Sequence, residues 1–318
     1  MRVKMVPHLS KMERHESGIK RVCEAYIRYA KDYGIDYVEP DDEQYDILAI
    51  HAGMSTVFEV NIPMVSHLHG LYWTADYDAH SWEWAANQKV IASIRHATMV
   101  TVPSEWVAES LRRDMHVDPV VIHHGIDWKD WAGDTPNNGY ILWNKNRHFD
   151  VCDPYAVGEL AKRFPNNKFI STFLPPGSPS NVKEIGLVTH EDMKLMILRS
   201  AVYMSTTKET FGIGVLEALA AGVPVLGFNW GGNKIMVKHG INGYLARPND
   251  FADLEEGLNY CLLHNDILGK NARLSAREYT WASAMEKVSN VYREAMMLFH
   301  DRRRQPKLDA ELYRIDDV

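Results

Sequence analysis

The sequence predicts an α/β protein with parallel sheets, arranged in two parts. Three observations carry this. Short apolar runs alternate with longer helical stretches along the chain, the pattern of strands joined by crossover helices. At 318 residues the chain exceeds what a single hydrophobic core comfortably organises. Between residues 130 and 139 the composition turns to Gly, Asp, Thr, Pro and Asn, which reads as a linker.

The elements follow in order. Residues 3–6 (Val3-Lys4-Met5-Val6) open the chain as a strand, and helix follows over 18–33. Further strands fall at 45–49, 64–67, 99–102 and 120–123, with helices over 81–97 and 104–115. Ser104 reads as the N-cap of the last of these, with Val107 starting its apolar face. After the linker the alternation resumes. Strands are expected at 140–143, 168–173, 201–205, 224–227 and 243–246, and helices at 153–164, 190–200, 214–221, 251–263 and 283–298. The expected domains are 1–134 and 135–298, with the last helix able to pack back on the first domain. Residues 299–318 are expected to form a polar tail, loosely ordered from Arg302 on. No internal repeat is visible.

Composition narrows the class. A hydrophobic share of 46% and a charged share of 24% are ordinary for a globular protein. No run approaches the ~20 apolar residues that span a bilayer. The N-terminus has no signal-peptide core. Cys23, Cys152 and Cys261 are far apart and form no Cys-x-x-Cys, which argues against a zinc knuckle or redox motif and fits a reducing, cytoplasmic setting. The net charge of −7 does not favour a nucleic-acid binder. It is uneven, however: residues 1–134 carry 13 Lys and Arg against 21 Asp and Glu, whereas residues 1–31 alone are net +5.

The densest chemical signal is Lys208-Glu209-Thr210-Phe211-Gly212-Ile213-Gly214-Val215-Leu216-Glu217, continuing through an Ala-rich helix to Gly222-Val223-Pro224-Val225. Gly212 and Gly214 put backbone without side chains at a loop-to-helix junction, where unpaired N–H groups meet anionic or polyhydroxyl ligands. Glu209 stays in the loop and Glu217 sits in the helix. Two acceptor-only carboxylates suit the hydroxyls of sugar and ribose, which are donors.

This string resembles the donor-site signature of retaining glycosyltransferases of the group 1 / family 4 type. Other segments share the resemblance: Trp230-Gly231-Gly232, His239-Gly240-Ile241-Asn242-Gly243-Tyr244-Leu245, Val188-Thr189-His190-Glu191-Asp192-Met193, Val121-Ile122-His123-His124-Gly125-Ile126-Asp127 and Val102-Pro103-Ser104-Glu105. The match is fuller in the second half than in the first. It implies two Rossmann-like domains facing across a cleft (GT-B), with the nucleotide against the second. By analogy, Glu217 takes the ribose hydroxyls, Glu209 contacts the sugar, and the backbone of Phe211, Gly212 and Ile213 holds sugar hydroxyls or phosphate. Gly18 is the first-domain residue that approaches the diphosphate. His69 follows an apolar strand where the family often places a cleft histidine, and is the expected sugar ligand or polariser.

Two departures stand out. Where the family has Gly-Arg followed shortly by Lys, this chain reads Asn144-Lys145-Asn146-Arg147, so Lys145 and Arg147 are the diphosphate candidates. Cations belong there because the leaving nucleotide gains charge as the glycosidic bond breaks. Where the family has Pro-Glu after Gly-Gly, this chain has Lys234 and Ile235.

The resemblance implies hexose transfer from a nucleotide sugar, UDP-glucose-like or GDP-mannose-like, with retention and without a required metal or other cofactor. The expected acceptor is a glycan or lipid-linked precursor, held by Lys11, Arg14, Tyr72 and Trp73. Lys20 and Arg21 add to the positive charge there. Hydroxymethylated DNA is the alternative acceptor, and a degenerate nucleotide-sugar-binding module the alternative function. A metal at His67-x-His69 lacks a persuasive third ligand. His123 and His124 are expected on opposite faces of a strand.

Overall fold

The computed structural model describes residues 1–12, 18–53, 61–70, 81–133, 137–148 and 152–304. Among these, twelve parallel strands form two six-stranded sheets. The first sheet contains β1 (Arg2–Val6), β2 (Asp36–Tyr37), β3 (Ile47–His51), β4 (Met64–His67), β5 (Met99–Val102) and β6 (Val120–Val121), in the spatial order β2-β1-β3-β4-β5-β6. The second contains β7 (Tyr140–Trp143), β8 (Phe169–Ser171), β9 (Val182–Glu184), β10 (Ser200–Ser205), β11 (Val225–Phe228) and β12 (Gly243–Ala246), in the order β12-β11-β10-β7-β8-β9. In the second sheet the winding direction reverses between β7 and β10, which makes a crevice at their carboxyl ends.

Helices α1 (Gly18–Tyr29), α2 (Ser81–His96) and α3 (Glu105–Met115) flank the first sheet. Helices α4 (Tyr155–Arg163), α5 (His190–Arg199), α6 (Ile213–Ala221), α7 (Asn233–Met236), α8 (Phe251–Leu263) and α9 (Asn265–Ala276) belong with the second. The Ser104 side chain accepts from Val107 N as expected, and Thr189 caps α5 the same way through Asp192 N.

The last helix, α10 (Trp281–Arg304), returns to the first sheet. Its Ala284, Met285, Val288, Val291, Tyr292 and Ala295 share one core with Val3, Met5, Val22, Tyr26, Ile47 and Val65. The chain therefore passes between the two halves twice, and the two passages touch. Ile126 N donates to the Tyr279 carbonyl (3.1 Å), and a Cβ on Gly125 would lie 2.2 Å from Trp281 N.

Several elements differ from expectation. Helix α1 ends at Tyr29 and tightens into a 3-10 turn, Ala30–Tyr33, closed by Gly34 in the left-handed region. Strand β6 stops at Val121, so His123 and His124 lie in the loop after it rather than on opposite strand faces. The edge strands β2 and β9 are short and polar, and escape a hydrophobicity reading. Helix α9 was not expected because its buried face is small, Gly269, Ala272, Ser275 and Ala276 beside Leu268. That smallness is structural, since a Cβ on Gly269 would lie 2.5 Å from the Gly222 carbonyl at the end of α6.

Candidate functional site

The register of the second sheet assembles the site. Strands β7 and β10 are neighbours, with Trp143 opposite Met204, so the loops leaving their carboxyl ends emerge side by side. One loop carries Asn144-Lys145-Asn146-Arg147 and the other Thr207-Lys208-Glu209-Thr210. The Lys145 ammonium meets the Glu209 carboxylate directly. Both loops are braced. Thr172 Oγ1 accepts from Lys145 N (3.0 Å) and donates to the Lys145 carbonyl (2.8 Å). Thr207 Oγ1 donates to Glu209 Oε1 (2.9 Å), and Trp230 Nε1 donates to the Thr207 carbonyl (2.9 Å).

The Gly-Gly turn explains itself here. A Cβ on Gly231 would lie 2.6 Å from the Glu209 carbonyl, and one on Gly232 would lie 2.5 Å from the Phe211 carbonyl. Residues 231–232 are thus the floor on which the Glu209 loop rests. Lys234 beyond them is exposed and does not line the cavity.

Helix α6 starts after Gly212, whose φ of 97° only glycine adopts without strain. Glu217, the fifth helical residue, is 4% exposed. Its Oε1 receives Arg21 from α1, across the cleft, and lies 2.9 Å from His190 Nε2 at the start of α5. Burial pushes the Glu217 carboxyl up, but Arg21 and His190 outweigh it and hold it below the usual carboxylate range. Glu209 follows the same logic, with burial opposed by Lys145 and Thr207. Burial pulls the Lys145 ammonium down, and Glu209 more than restores it. Both carboxylates are therefore ionised, and each already holds a cation.

These groups line a cavity of about 430 Å³ between the two sheets, within the range of small-molecule sites. Gly18, Arg21, His69, Gly70 and His124 come from the first half. Lys145, Arg147, His190, Tyr203, Glu209, Gly212, Ile213 and Glu217 come from the second. Gly18 faces Ile213, with 3.4 Å between an added Cβ and Ile213 Cδ1. Phe211 also borders the cavity, but its side chain is 2% exposed and packs edge-on against the His124 ring, 4.9 Å between centroids.

Of the expected site residues, Glu209, Glu217, Lys145, Arg147, Phe211, Gly212, Ile213, Gly18 and His69 meet at this cavity. Lys11 does not; it is exposed in the 3-10 turn Leu9–Lys11. Arg14, Tyr72 and Trp73 lie outside the described residues. Arg21, expected beside an acceptor, instead reaches the Glu217 carboxylate of the second half.

The first-half wall is a histidine column, buried at His51, His67 and His124 and half-buried at His69, which faces the cavity. His67 and His51 stack at 4.6 Å, His51 and His69 at 5.3 Å, and His69 and His124 at 5.9 Å between ring centroids. His51 Nδ1 and His69 Nε2 are 3.0 Å apart. Both ring nitrogens of His67 are engaged, by Thr101 Oγ1 (2.7 Å) and the Tyr292 hydroxyl (2.9 Å) of α10, which leaves none for a metal. Among the described residues, no group of three or more His, Cys, Asp or Glu is placed to hold one. Burial holds His67 down to about 3 and His69 to about 4, with His51 and His124 also well below their ordinary value. Thr210 Oγ1 donates to the His69 carbonyl (2.8 Å), tying this wall to the Glu209 loop.

Sequence reasoning did not find Tyr203. It projects from β10 beneath α6, fully buried, with a hydroxyl that has no hydrogen-bond partner among the described residues and that burial pushes up to about 12. An added Cβ on Gly214 would lie 2.3 Å from that oxygen, so Tyr203 requires glycine at position 214.

Two parallel α/β halves enclosing a cleft, with paired carboxylates and cations at the crevice of the second, define the two-domain GT-B class. The comparisons with known proteins agree. The model for glycosyl transferases group 1 matches residues 177–281, and that for glycosyltransferase family 4 matches residues 13–129, together more than two thirds of the chain. The chain belongs to these group 1 / family 4 glycosyltransferases. It is 31% identical over 155 residues to a D-inositol 3-phosphate glycosyltransferase of Nocardia farcinica, covering 47% of this chain and 32% of that one. It is 34% identical over 103 residues to a sulfoquinovosyl transferase of Arabidopsis thaliana, covering 30% and 20%. The matches span only 26–32% of the first such relatives' length. In fold it is similar to Anabaena HepE, solved with UDP and glucose (TM-score 0.70, 14% identity, 92% of this chain and 100% of that one). It is also similar to a glycosyltransferase from Rickettsia africae (TM-score 0.69, 16% identity, 92% and 98%). Among the described residues no helix is long and apolar enough to cross a membrane.

Proposed function

We propose that the protein is a hexosyltransferase that moves a sugar from a nucleotide-sugar donor to an acceptor hydroxyl with retention. The observation that carries this reading is the pairing in one cavity of two ionised carboxylates, Glu217 buried and Glu209 half-buried, with the cations Lys145 and Arg147. A neutral-ligand pocket has no need of that set, whereas a nucleotide sugar offers both partners, hydroxyls for the carboxylates and a diphosphate for the cations.

In this reading Glu217 accepts from the ribose hydroxyls. The diphosphate lies between Gly18 and the first turn of α6, whose unpaired N–H groups and positive end favour an anion. Lys145 and Arg147 take up the charge that develops on the departing nucleotide. Glu209 and the backbone of Phe211, Gly212 and Ile213 orient the hexose. His69, held neutral by burial, contacts the sugar as a hydrogen-bonding group without adding charge beside an oxocarbenium-like centre. The acceptor's proton passes to the donor phosphate, so no protein base and no metal is assigned. The acceptor is a glycan or lipid-linked hydroxyl, with Arg14, Tyr72 and Trp73 proposed as its contacts on sequence grounds. Three buried free cysteines fit a cytoplasmic setting.

The test is a thermal-shift panel of nucleotide sugars without metal, followed by mass spectrometry of products. A donor at a hundred times its dissociation constant adds about 2.7 kcal/mol of stability. Stabilisation by one donor, abolished in Glu217→Ala, supports the reading. A folded protein that responds to no nucleotide sugar sinks it, and points to a degenerate module.

A further inference from the structure

We propose that Arg21 is a donor-recognition residue that exchanges partners: it leaves Glu217 to the ribose and takes the diphosphate. The inference rests on the functional reading above and extends it to a residue with no role there.

The Arg21 guanidinium sits on Oε1 of Glu217, the carboxylate that the ribose must reach. Its side chain is 26% exposed, while that of Glu217 is 6% exposed. Arg21 is therefore the mobile partner and Glu217 the fixed one. Glu217 is set in α6, whereas Arg21 comes from the opposite wall; His190 Nε2 lies close to both, 2.9 Å from Glu217 Oε1 and 2.7 Å from Arg21 Nη1. A ribose that claims this carboxylate must displace the guanidinium. A guanidinium released into a partly buried cavity requires another anion.

That anion is available in the right place. Gly18 and Arg21 are three residues apart on α1, hence on one face, and both line the cavity. The unliganded site sets Lys145, Arg147, Lys208 and Arg21 against Glu209 and Glu217, a surplus of two positive charges. A doubly charged diphosphate cancels that surplus while Arg21 stays, and leaves a net negative charge if Arg21 goes. Planar guanidinium geometry suits two phosphate oxygens at once. The consequence is selection for donor class. A nucleoside alone must break the Arg21–Glu217 pair without replacing it, whereas a nucleoside diphosphate replaces it. The site thus favours diphosphate-linked sugars over phosphate-poor donors.

This predicts effects of opposite sign. By isothermal titration calorimetry, Arg21→Met raises the Kd for UDP or GDP about tenfold, or 1.4 kcal/mol. The same variant lowers the Kd for uridine or guanosine, read by ligand-observed NMR, because Glu217 is no longer occupied. Arg21→Lys, which keeps the charge, restores part of the diphosphate affinity and loses the nucleoside gain. Equal weakening of nucleoside and diphosphate in Arg21→Met, or unchanged diphosphate binding, overturns the exchange while leaving the functional reading intact. If the wild-type protein binds neither UDP nor GDP, the functional reading itself fails.

Discussion

The histidine column makes a quantitative prediction about acid stability. The perturbation is a shift from pH 7.5 to 5.0. In the unfolded chain each histidine takes up a proton near 6.5, while in the fold His69 does so only at about 4 and His67 at about 3, because burial penalises the charged ring. Between these values the unfolded state binds more protons, so stability falls as the pH falls. The contribution is intact above 6.5 and is lost progressively down to the folded values. At pH 5.0 each ring has lost roughly 1.5 pH units' worth, about 2 kcal/mol, so the two together remove about 4 kcal/mol. His51 and His124 act in the same direction. Glu209 and Glu217 do not contribute in this window, since both are held below their ordinary value of 4.5 and their pairing is lost only as the pH falls through those depressed values. The assay is urea unfolding of the wild type and of His69→Asn at both pH values. The variant is expected to show a pH-dependent loss smaller by about 2 kcal/mol, whatever its stability at pH 7.5. A wild type equally stable at both pH values, or an identical pH-dependent loss in His69→Asn, refutes the reasoning.

Two further predictions concern close contacts. Gly214→Ala drives a methyl group to within 2.3 Å of the Tyr203 hydroxyl and should lower stability by about 1–3 kcal/mol. Tyr203→Phe should be neutral or stabilising alone, as its hydroxyl has no partner among the described residues, and should rescue most of that loss in the double variant; simple additivity in chemical denaturation would count against it. Gly125→Ala places a Cβ against the main chain of Thr280 and Trp281, which cannot rotate away, so a loss of about 3 kcal/mol is expected by thermal melting. An unchanged midpoint would show that the two chain passages have room to part.

The second-half wall of the cavity was legible in the sequence because its residues sit at fixed offsets from strand ends. Lys145 follows β7 and Glu209 follows β10, and in a parallel alternation the ends of neighbouring strands converge. Glu217 was legible because helix α6 is continuous with that loop. Arg21 and His190 were not legible as its partners. Their pairing joins residues 196 and 27 positions apart, on different helices, and no local pattern encodes it. Tyr203 reads as one more apolar residue of a buried strand, and only the three-dimensional proximity of Gly214 shows where its hydroxyl goes. The short edges β2 and β9 and the small-faced α9 were missed because a hydrophobicity pattern reports bulk, and these elements bury little of it.

The return of α10 to the first sheet has a consequence for biogenesis. Chains are made from the N-terminus, and domains generally fold as they emerge. Here β1–β6 leave the ribosome first, yet the apolar surface around Val3, Tyr26 and Val65 is completed by residues 284–295. The second sheet, strung continuously between Tyr140 and Ala246, has all its strands available earlier than that. The half synthesised first is therefore the half completed last. Until α10 arrives, the nascent chain presents an unfinished core that chaperones are built to shield.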